Sequence, residues 1–153
     1  EYQFVTDWEY WLRAILKGFS VAGLSERLVR WRRHPGAATM AHERALSRYT
    51  EEIRLLDWAT REAHAQGLVA SPEADYSLVH KTVAMELAKR LERGDTAGAR
   101  ALLDFAVSDV PSFRTSPLRP VLRAALPFGT AGGRLLKALE QGYVRVASRL
   151  TAP

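Results

Sequence analysis

Residues 5–39, VTDWEYWLRAILKGFSVAGLSERLVRWRRHPGAAT, carry the densest set of structural signals in the chain. The first apolar side chains recur at the i, i+3, i+4, i+7 spacing of one helix face, and they are Trp8, Trp11, Leu12 and Ile15. Thr6 and Glu9 have the spacing of a capping box, and Gly18 suits the left-handed residue that ends a helix. The pattern therefore predicts a helix over residues 6–17.

Two short strands are predicted next, because the apolar period changes from that of a helix to that of a strand. Residues 19–23 (FSVAG) and 28–33 (LVRWRR) alternate with period two and are rich in strand-forming residue types. The His-Pro-Gly sequence at 34–36 ends the second strand as a turn. We expect a short β pair in this part of the chain.

The remainder of the chain is predicted to be helical. Residues 40–66 form one helix closed by Gly67, and their apolar stripe is Leu46, Tyr49, Ile53, Leu56 and Ala63. Another helix follows the Ser71-Pro72 pair, and its stripe is Tyr76, Val79, Val83, Leu87 and Leu91. Gly94 then ends this helix, and Asp95 is the N-cap of the next one.

Two more buried faces complete the predicted fold, which is mainly α with a short β pair near the N-terminus. The helix after Asp95 is expected to bury Ala101, Leu102 and Phe105 and to pair with the preceding helix as a helical hairpin. A last helix over about residues 133–150 is expected to bury Leu135, Leu139, Tyr143, Val146 and Leu150.

The composition is that of an ordinary soluble domain. A length of 153 residues is enough for one domain with a real core. The absence of cysteine excludes disulfides, thiolate metal sites and thiol catalysis. No apolar run approaches the ~20 residues that cross a bilayer. The opening EYQFVTDW is typical of the middle of a domain, so we expect the chain to be a fragment.

Basic residues are concentrated in the segment from Val110 onward. It holds one acid, Glu140, and seven basic residues: Arg114, Arg119, Arg123, Arg134, Lys137, Arg145 and Arg149. A solvated basic face is one interpretation, and weak contact with an anionic membrane surface is the other. A nucleic-acid partner is not expected, because no aromatic residues interleave the arginines and no binding motif is present.

Asp7 has two interpretations. An acid in the first turn of a helix is favoured by the helix dipole by ~0.3–1 kcal/mol, and it needs no catalytic role. In that case the tryptophans belong to the core and His34 is a turn residue. The alternative, a catalytic carboxylate, comes from a resemblance.

Residues 6–39 resemble the acceptor-side segment of family 2 glycosyltransferases, which are inverting sugar-nucleotide enzymes with a GT-A fold. The resemblance lies in Asp7, in the WEYWLR run at 8–13, in Gly18, in Ser25-Glu26 and in the WRRH strand end at 31–34. Thr6 stands where this family usually has Glu, and Trp31 where it usually has Tyr. The match covers residues 1–39, about a quarter of the chain.

The resemblance implies that Asp7 is the general base and that Trp8, Arg32 and His34 face the acceptor or the diphosphate. A carboxylate suits a base that takes a proton from an acceptor hydroxyl. The family also uses Mg²⁺ or Mn²⁺ at an Asp-x-Asp motif, and this chain has none, so the metal ligands are expected mostly outside it. The chain is then the remnant of a GT-A α/β domain that lacks its nucleotide-binding half.

Other catalytic or metal-binding patterns find no support. His42, His64 and His80 do not have the spacing of metal ligands. The serines, among them Ser20, Ser25 and Ser47, have no His/Asp partners at recognisable positions, so nucleophilic catalysis is not indicated.

The predicted organisation is a catalytic segment, residues 1–39, followed by a helical C-terminal region, residues 40–153. The implied function is transfer of a sugar, with inversion, from a nucleotide-sugar donor to a glycan or lipid-linked acceptor. The enzyme is expected in the cytoplasm, at the inner face of the membrane. The alternative is a non-enzymatic helical protein-interaction module, for which residues 1–39 are only packing.

Overall fold

The computed structural model describes residues 2–23, 26 and 46–150, and six α-helices make up most of this part of the chain. They are α1 (Thr6–Leu16), α2 (Ser47–Ala65), α3 (Ser77–Glu92), α4 (Thr96–Asp109), α5 (Leu118–Ala125) and α6 (Gly129–Leu150). Short 3-10 turns occupy Phe113–Thr115 and Leu126–Phe128. The chain forms two compact units, Glu1–Asp75 and Tyr76–Pro153. The prediction of a mainly helical fold is confirmed, while the predicted boundary at residue 39 lies outside the described residues.

The start of α1 differs from the predicted capping box. The cap position is Val5 rather than Thr6, and the Glu9 carboxylate accepts a hydrogen bond from Arg13 Nε at 3.0 Å. The N–H groups just before the helix are instead held by a carboxylate from α2, that of Glu51. A partner far away in the sequence therefore replaces the local cap.

The end of α1 is as predicted. Gly18 has φ +83°, a left-handed conformation that costs a glycine little. Its N–H donates to the carbonyl of Ile15 at 2.9 Å, and the N–H of Phe19 donates to the carbonyl of Ala14 at 3.1 Å. These two bonds form a Schellman motif, which satisfies carbonyl groups left open at the helix end.

The first predicted strand is wrong. Residues 19–23 have no regular secondary structure, and the side chains of Phe19 and Val21 are 67% and 68% exposed. A strand needs the backbone of a neighbouring strand to complete its hydrogen bonds, and the described ranges contain no strand. The predicted partner, residues 28–33, lies outside the described residues.

The first unit buries the contact between α1 and α2. Val5, Tyr49 and Leu55 are each 1% exposed, and Glu52 is buried with its Oε1 2.7 Å from Arg48 Nε. The inward face of α1 carries Val5, Glu9, Leu12 and Leu16, which are buried or half-buried. The predicted apolar face of α1 is therefore wrong in large part, because Trp8, Trp11 and Ile15 are exposed and only Leu12 is half-buried.

The second unit has the larger core. The predicted stripe of α3 is confirmed for Val79, Val83, Leu87 and Leu91, which are at most 1% exposed. Its fifth member, Tyr76, is half-buried at the cap position of the helix. Asp95 caps α4 as predicted, its carboxylate accepting the N–H of Gly98 at 2.8 Å. The α4 face buries Leu102 as expected, together with Ala99, Leu103 and Ala106. Phe105 is half-buried, and Ala101, predicted inward, is exposed.

The packing of α6 is set by glycine rather than by leucine. A Cβ at Gly133 would lie 2.7 Å from the carbonyl oxygen of Ala88 and 2.7 Å from the backbone nitrogen of Glu92, so α6 and α3 approach too closely for a side chain. Leu135 and Leu139, predicted inward, are 58% and 55% exposed. Among the described residues, none of the helices is both long and apolar enough to cross a membrane.

Candidate functional site

Asp7 lies in the first turn of α1, one residue after the helix begins. Its side chain is exposed, and its Oδ1 accepts a hydrogen bond of 2.9 Å from the backbone N–H of Trp8. The open N–H groups of a helix start carry a partial positive charge that stabilises a carboxylate there by ~0.3–1 kcal/mol. The Asp7 carboxylate therefore lies at the helix start and faces solvent.

Three exposed aromatic side chains follow Asp7 within the first turns of α1. Tyr10 and Trp11 stand three and four residues after Asp7, so they share its side of the helix. Their rings pack edge to face with centroids 5.3 Å apart, and the two side chains are 64% and 56% exposed. Trp8 is 43% exposed. An acid and three aromatic rings thus form one open surface, which we call the α1 aromatic face.

The inner side of α1 is held against α2 by polar contacts as well as by packing. The Glu51 carboxylate accepts the N–H groups of three successive residues, Gln3, Phe4 and Val5, with shortest N···O distances of 3.0, 2.6 and 3.2 Å. The guanidinium of Arg13 lies 5.3 Å from the ring centroid of Trp58. These contacts fix both the start and the middle of the helix that carries Asp7.

The structure describes only part of the predicted site. Asp7 and Trp8 are adjacent at the start of α1, whereas Arg32 and His34 lie outside the described residues. Sequence reasoning did not identify Glu51, since an acid within an amphipathic helix gives no sign of its distant partner. It also did not predict that Trp11 faces solvent or that its ring packs against that of Tyr10.

The described residues do not fit a divalent metal site. Within them, no group of three or more His, Asp or Glu is placed to hold a metal ion. Two histidines have structural contacts instead. His80 Nε2 lies 2.9 Å from the carbonyl oxygen of Pro111 and its ring packs edge to face on Phe113, while His64 Nδ1 lies 3.2 Å from the carbonyl oxygen of Val69.

A second surface feature lies in the unit Tyr76–Pro153. A half-open groove of about 440 Å³ is formed by α3, α5 and α6, and its lining is almost entirely apolar. The lining includes Ala84, Met85, Ala88, Val121, Leu122 and Leu136. This groove, which we call the α3–α5–α6 groove, was not predicted, because it arises where three helices fail to fill the space between them.

Comparison of the chain with models of protein families, with curated proteins and with solved structures finds no match. Function is therefore inferred from the residues of the α1 aromatic face and from their surroundings.

Proposed function

We propose that the chain is the C-terminal part of an inverting family 2 glycosyltransferase and that Asp7 is its general base. The observation that carries this proposal is the exposed carboxylate of Asp7 at a helix start, next to the exposed rings of Trp8 and Trp11. A large aromatic side chain is usually buried, and several on one open face indicate a binding surface. The resemblance of residues 1–39 supplies the reaction class.

In the proposed reaction, Asp7 takes the proton from an acceptor hydroxyl while that oxygen attacks the anomeric carbon of the donor sugar. The attack comes from the face opposite the nucleotide, so the bond to the diphosphate breaks and the sugar is transferred with inversion. A positioned carboxylate base contributes typically ~10²–10⁴-fold to the rate. We assign the nucleotide and metal sites to residues outside this chain.

The rings of Trp8 and Trp11 are assigned to the acceptor. Aromatic side chains combine a broad apolar surface with a polar edge, and the indole N–H is a hydrogen-bond donor. Such side chains suit an acceptor that presents both C–H faces and hydroxyl groups. Arg32 and His34 are proposed on the diphosphate side, from the resemblance alone.

We further propose that the enzyme acts in the cytoplasm at the inner face of the membrane. The support is the basic segment from Val110, since each basic residue near an anionic surface adds about 1 kcal/mol of attraction. Flotation with anionic and with neutral liposomes tests this placement. Recovery with the anionic liposomes alone is expected, and equal recovery with both would contradict it.

The test of the proposed function uses the full-length reading frame. We expect β/α units ending in Asp-x-Asp upstream of Glu1. We also expect the purified full-length protein to release nucleoside diphosphate from a uridine- or guanosine-diphosphate sugar when Mn²⁺ and an acceptor are present. An unrelated upstream domain together with no release would overturn the proposal.

A non-enzymatic helical interaction module is the second candidate. The observation that favours it is Ile15, which is 47% exposed four residues after Trp11 on the same side of α1. An aliphatic side chain is of little use to a sugar, whereas a protein partner would bury it. Substitution Ile15→Ser separates the two: it weakens a protein partner, and it leaves sugar transfer within a few-fold of the original rate.

A further inference from the structure

The α3–α5–α6 groove has the size and chemistry of a small-molecule site. Its volume of about 440 Å³ lies within the ~300–1,000 Å³ typical of ligand pockets, which are mostly apolar with few polar groups. The wall from α3 runs from Lys81 to Ala88, eight residues that span ~10 Å of helix. Its floor includes the small side chains of Ala84 and Ala88, beside the adaptable side chain of Met85.

The lining of the groove contains one charged residue, and it is basic. Lys81 is the charged member of the lining and is solvent exposed, so its ammonium group lies where the groove meets water. No ion pair of Lys81 occurs within the described part of the chain. The segment from Val110 to Leu139, which supplies the α5 and α6 walls, contains no acidic residue and five basic ones: Arg114, Arg119, Arg123, Arg134 and Lys137. Of these, Lys137 is paired with Glu92 of α3, with 3.2 Å between Nζ and Oε2.

We propose that the α3–α5–α6 groove binds a single-chain anionic amphiphile, with the alkyl chain in the groove and the carboxylate or phosphate head on Lys81. An apolar groove with a single lysine in its lining complements such a molecule in both chemistry and charge. The proposal is independent of the glycosyltransferase assignment, because its residues all lie in the unit Tyr76–Pro153.

A bilayer surface and an acidic amphipathic helix are the competing occupants. A bilayer has no single chain free to enter a recess, while a helix needs a long groove with several apolar contacts along it. The small volume and the single lysine of the lining favour the amphiphile.

The two methionines of the chain make a direct test. Met85 lines the groove, so methyl-labelled methionine gives a reporter there, and the signal of Met40 serves for comparison. Titration with monomeric decanoate is expected to shift the Met85 signal, saturably, without an equal shift of Met40. Decyltrimethylammonium, which has the same chain and the opposite charge, is expected to bind at least tenfold more weakly.

The length of the ligand's alkyl chain provides a second test. Each CH₂ buried contributes about 0.8 kcal/mol, which converts to about fourfold in affinity. From hexanoate to decanoate the affinity is expected to rise by up to fourfold per CH₂ and then to level off once the groove is full. A shift of Met85 that appears only above the micelle concentration would overturn the proposal.

Substitutions test separately the contact with the ligand's head group and the contact with its alkyl chain. Lys81→Met is expected to weaken decanoate binding about tenfold, whereas Arg100→Met, the same charge change at an exposed position of α4, is expected to leave it unchanged. Leu139→Asp, which places an acid at an exposed lining position, is expected to abolish binding without loss of helical circular dichroism.

The sources of the ligand are distinguished by parallel titrations. Decanoate and decyl phosphate represent free amphiphiles, phosphatidylglycerol vesicles represent a bilayer, and an acidic amphipathic peptide represents a partner helix. Saturable Met85 shifts with either free amphiphile support the proposal. Shifts with only the vesicles or only the peptide, or equal effects of Lys81→Met and Arg100→Met, would overturn it.

Discussion

At the scale of single residues, Glu51 decides where α1 begins. Its carboxylate accepts three successive backbone N–H groups, those of Gln3, Phe4 and Val5, although it lies 46 to 48 residues away from them. Open N–H groups before a helix are costly unless they find an acceptor. Asp7 therefore depends for its position on a residue that takes no part in the proposed chemistry.

We expect Glu51→Ala to lower the free energy of unfolding by about 1–2 kcal/mol, because hydrogen bonds to a charged group are lost. Urea unfolding followed by tryptophan fluorescence is the measurement, since all four tryptophans lie in the unit Glu1–Asp75. Glu62→Ala, at an exposed position of the same helix, is the control and should change stability by less than 0.5 kcal/mol, the usual surface range. Equal losses in the two variants would contradict the role of Glu51.

Contacts between residues close in the sequence could be predicted, and contacts between residues far apart in the sequence could not. Asp95 caps α4 through Gly98, three residues later, and Gly18 ends α1 through bonds within five residues. Both follow from short-range geometry. Glu51 looks like any acid of an amphipathic helix until α1 and α2 are brought together. Asp7 and Trp8 could be singled out as neighbours, but nothing local indicated that Trp11 faces solvent.

At the scale of elements, a helix shows its buried face in the sequence only when that face consists of large apolar residues. The stripe of α3 was predicted correctly because Val79, Val83, Leu87 and Leu91 all point into one core. Among the α6 positions whose burial the structure describes, the buried ones are the glycine pair at 132 and 133, and glycine leaves no apolar signal. The leucines at 135 and 139 misled the prediction for this reason.

Gly133→Ala tests the close contact between α3 and α6. Helix propensity alone predicts a gain of about 1 kcal/mol, whereas a Cβ placed 2.7 Å from the Ala88 carbonyl oxygen predicts a loss of about 1–3 kcal/mol. We expect the steric cost to exceed the gain in helix propensity, so the variant should have a lower midpoint in urea unfolding followed by circular dichroism. Ala138→Gly, at an exposed position of α6, measures the difference in helix propensity between alanine and glycine alone. A stabilised Gly133→Ala variant would show that the two helices do not meet there.

At the scale of the whole molecule, the two units carry different features. The unit Glu1–Asp75 holds the α1 aromatic face with Asp7, and the unit Tyr76–Pro153 holds the larger core and the groove. Apolar periodicity indicated the helical character of both. The organisation into units follows from contacts between distant residues, which the periodicity of one segment does not contain.

The proposed division of the enzyme predicts that this chain alone binds no sugar nucleotide. The described residues offer no metal cluster, and the sequence has neither an Asp-x-Asp motif nor a glycine-rich phosphate loop. Calorimetry with uridine- and guanosine-diphosphate sugars and Mn²⁺ should therefore give no heat beyond dilution. Stoichiometric binding would mean that the nucleotide site lies within this chain.

The most direct test of the central claim is the rate of sugar transfer by the full-length enzyme carrying Asp7→Asn. Asparagine keeps the size and capping ability of the side chain and removes its basicity. We expect turnover to fall ~10²–10⁴-fold, while stability changes by at most ~1 kcal/mol and donor affinity stays the same. Glu9→Gln removes a carboxylate from the same helical turn and should leave turnover within a few-fold of the original. An Asp7→Asn enzyme as active as that control would contradict the assignment of Asp7 as the base.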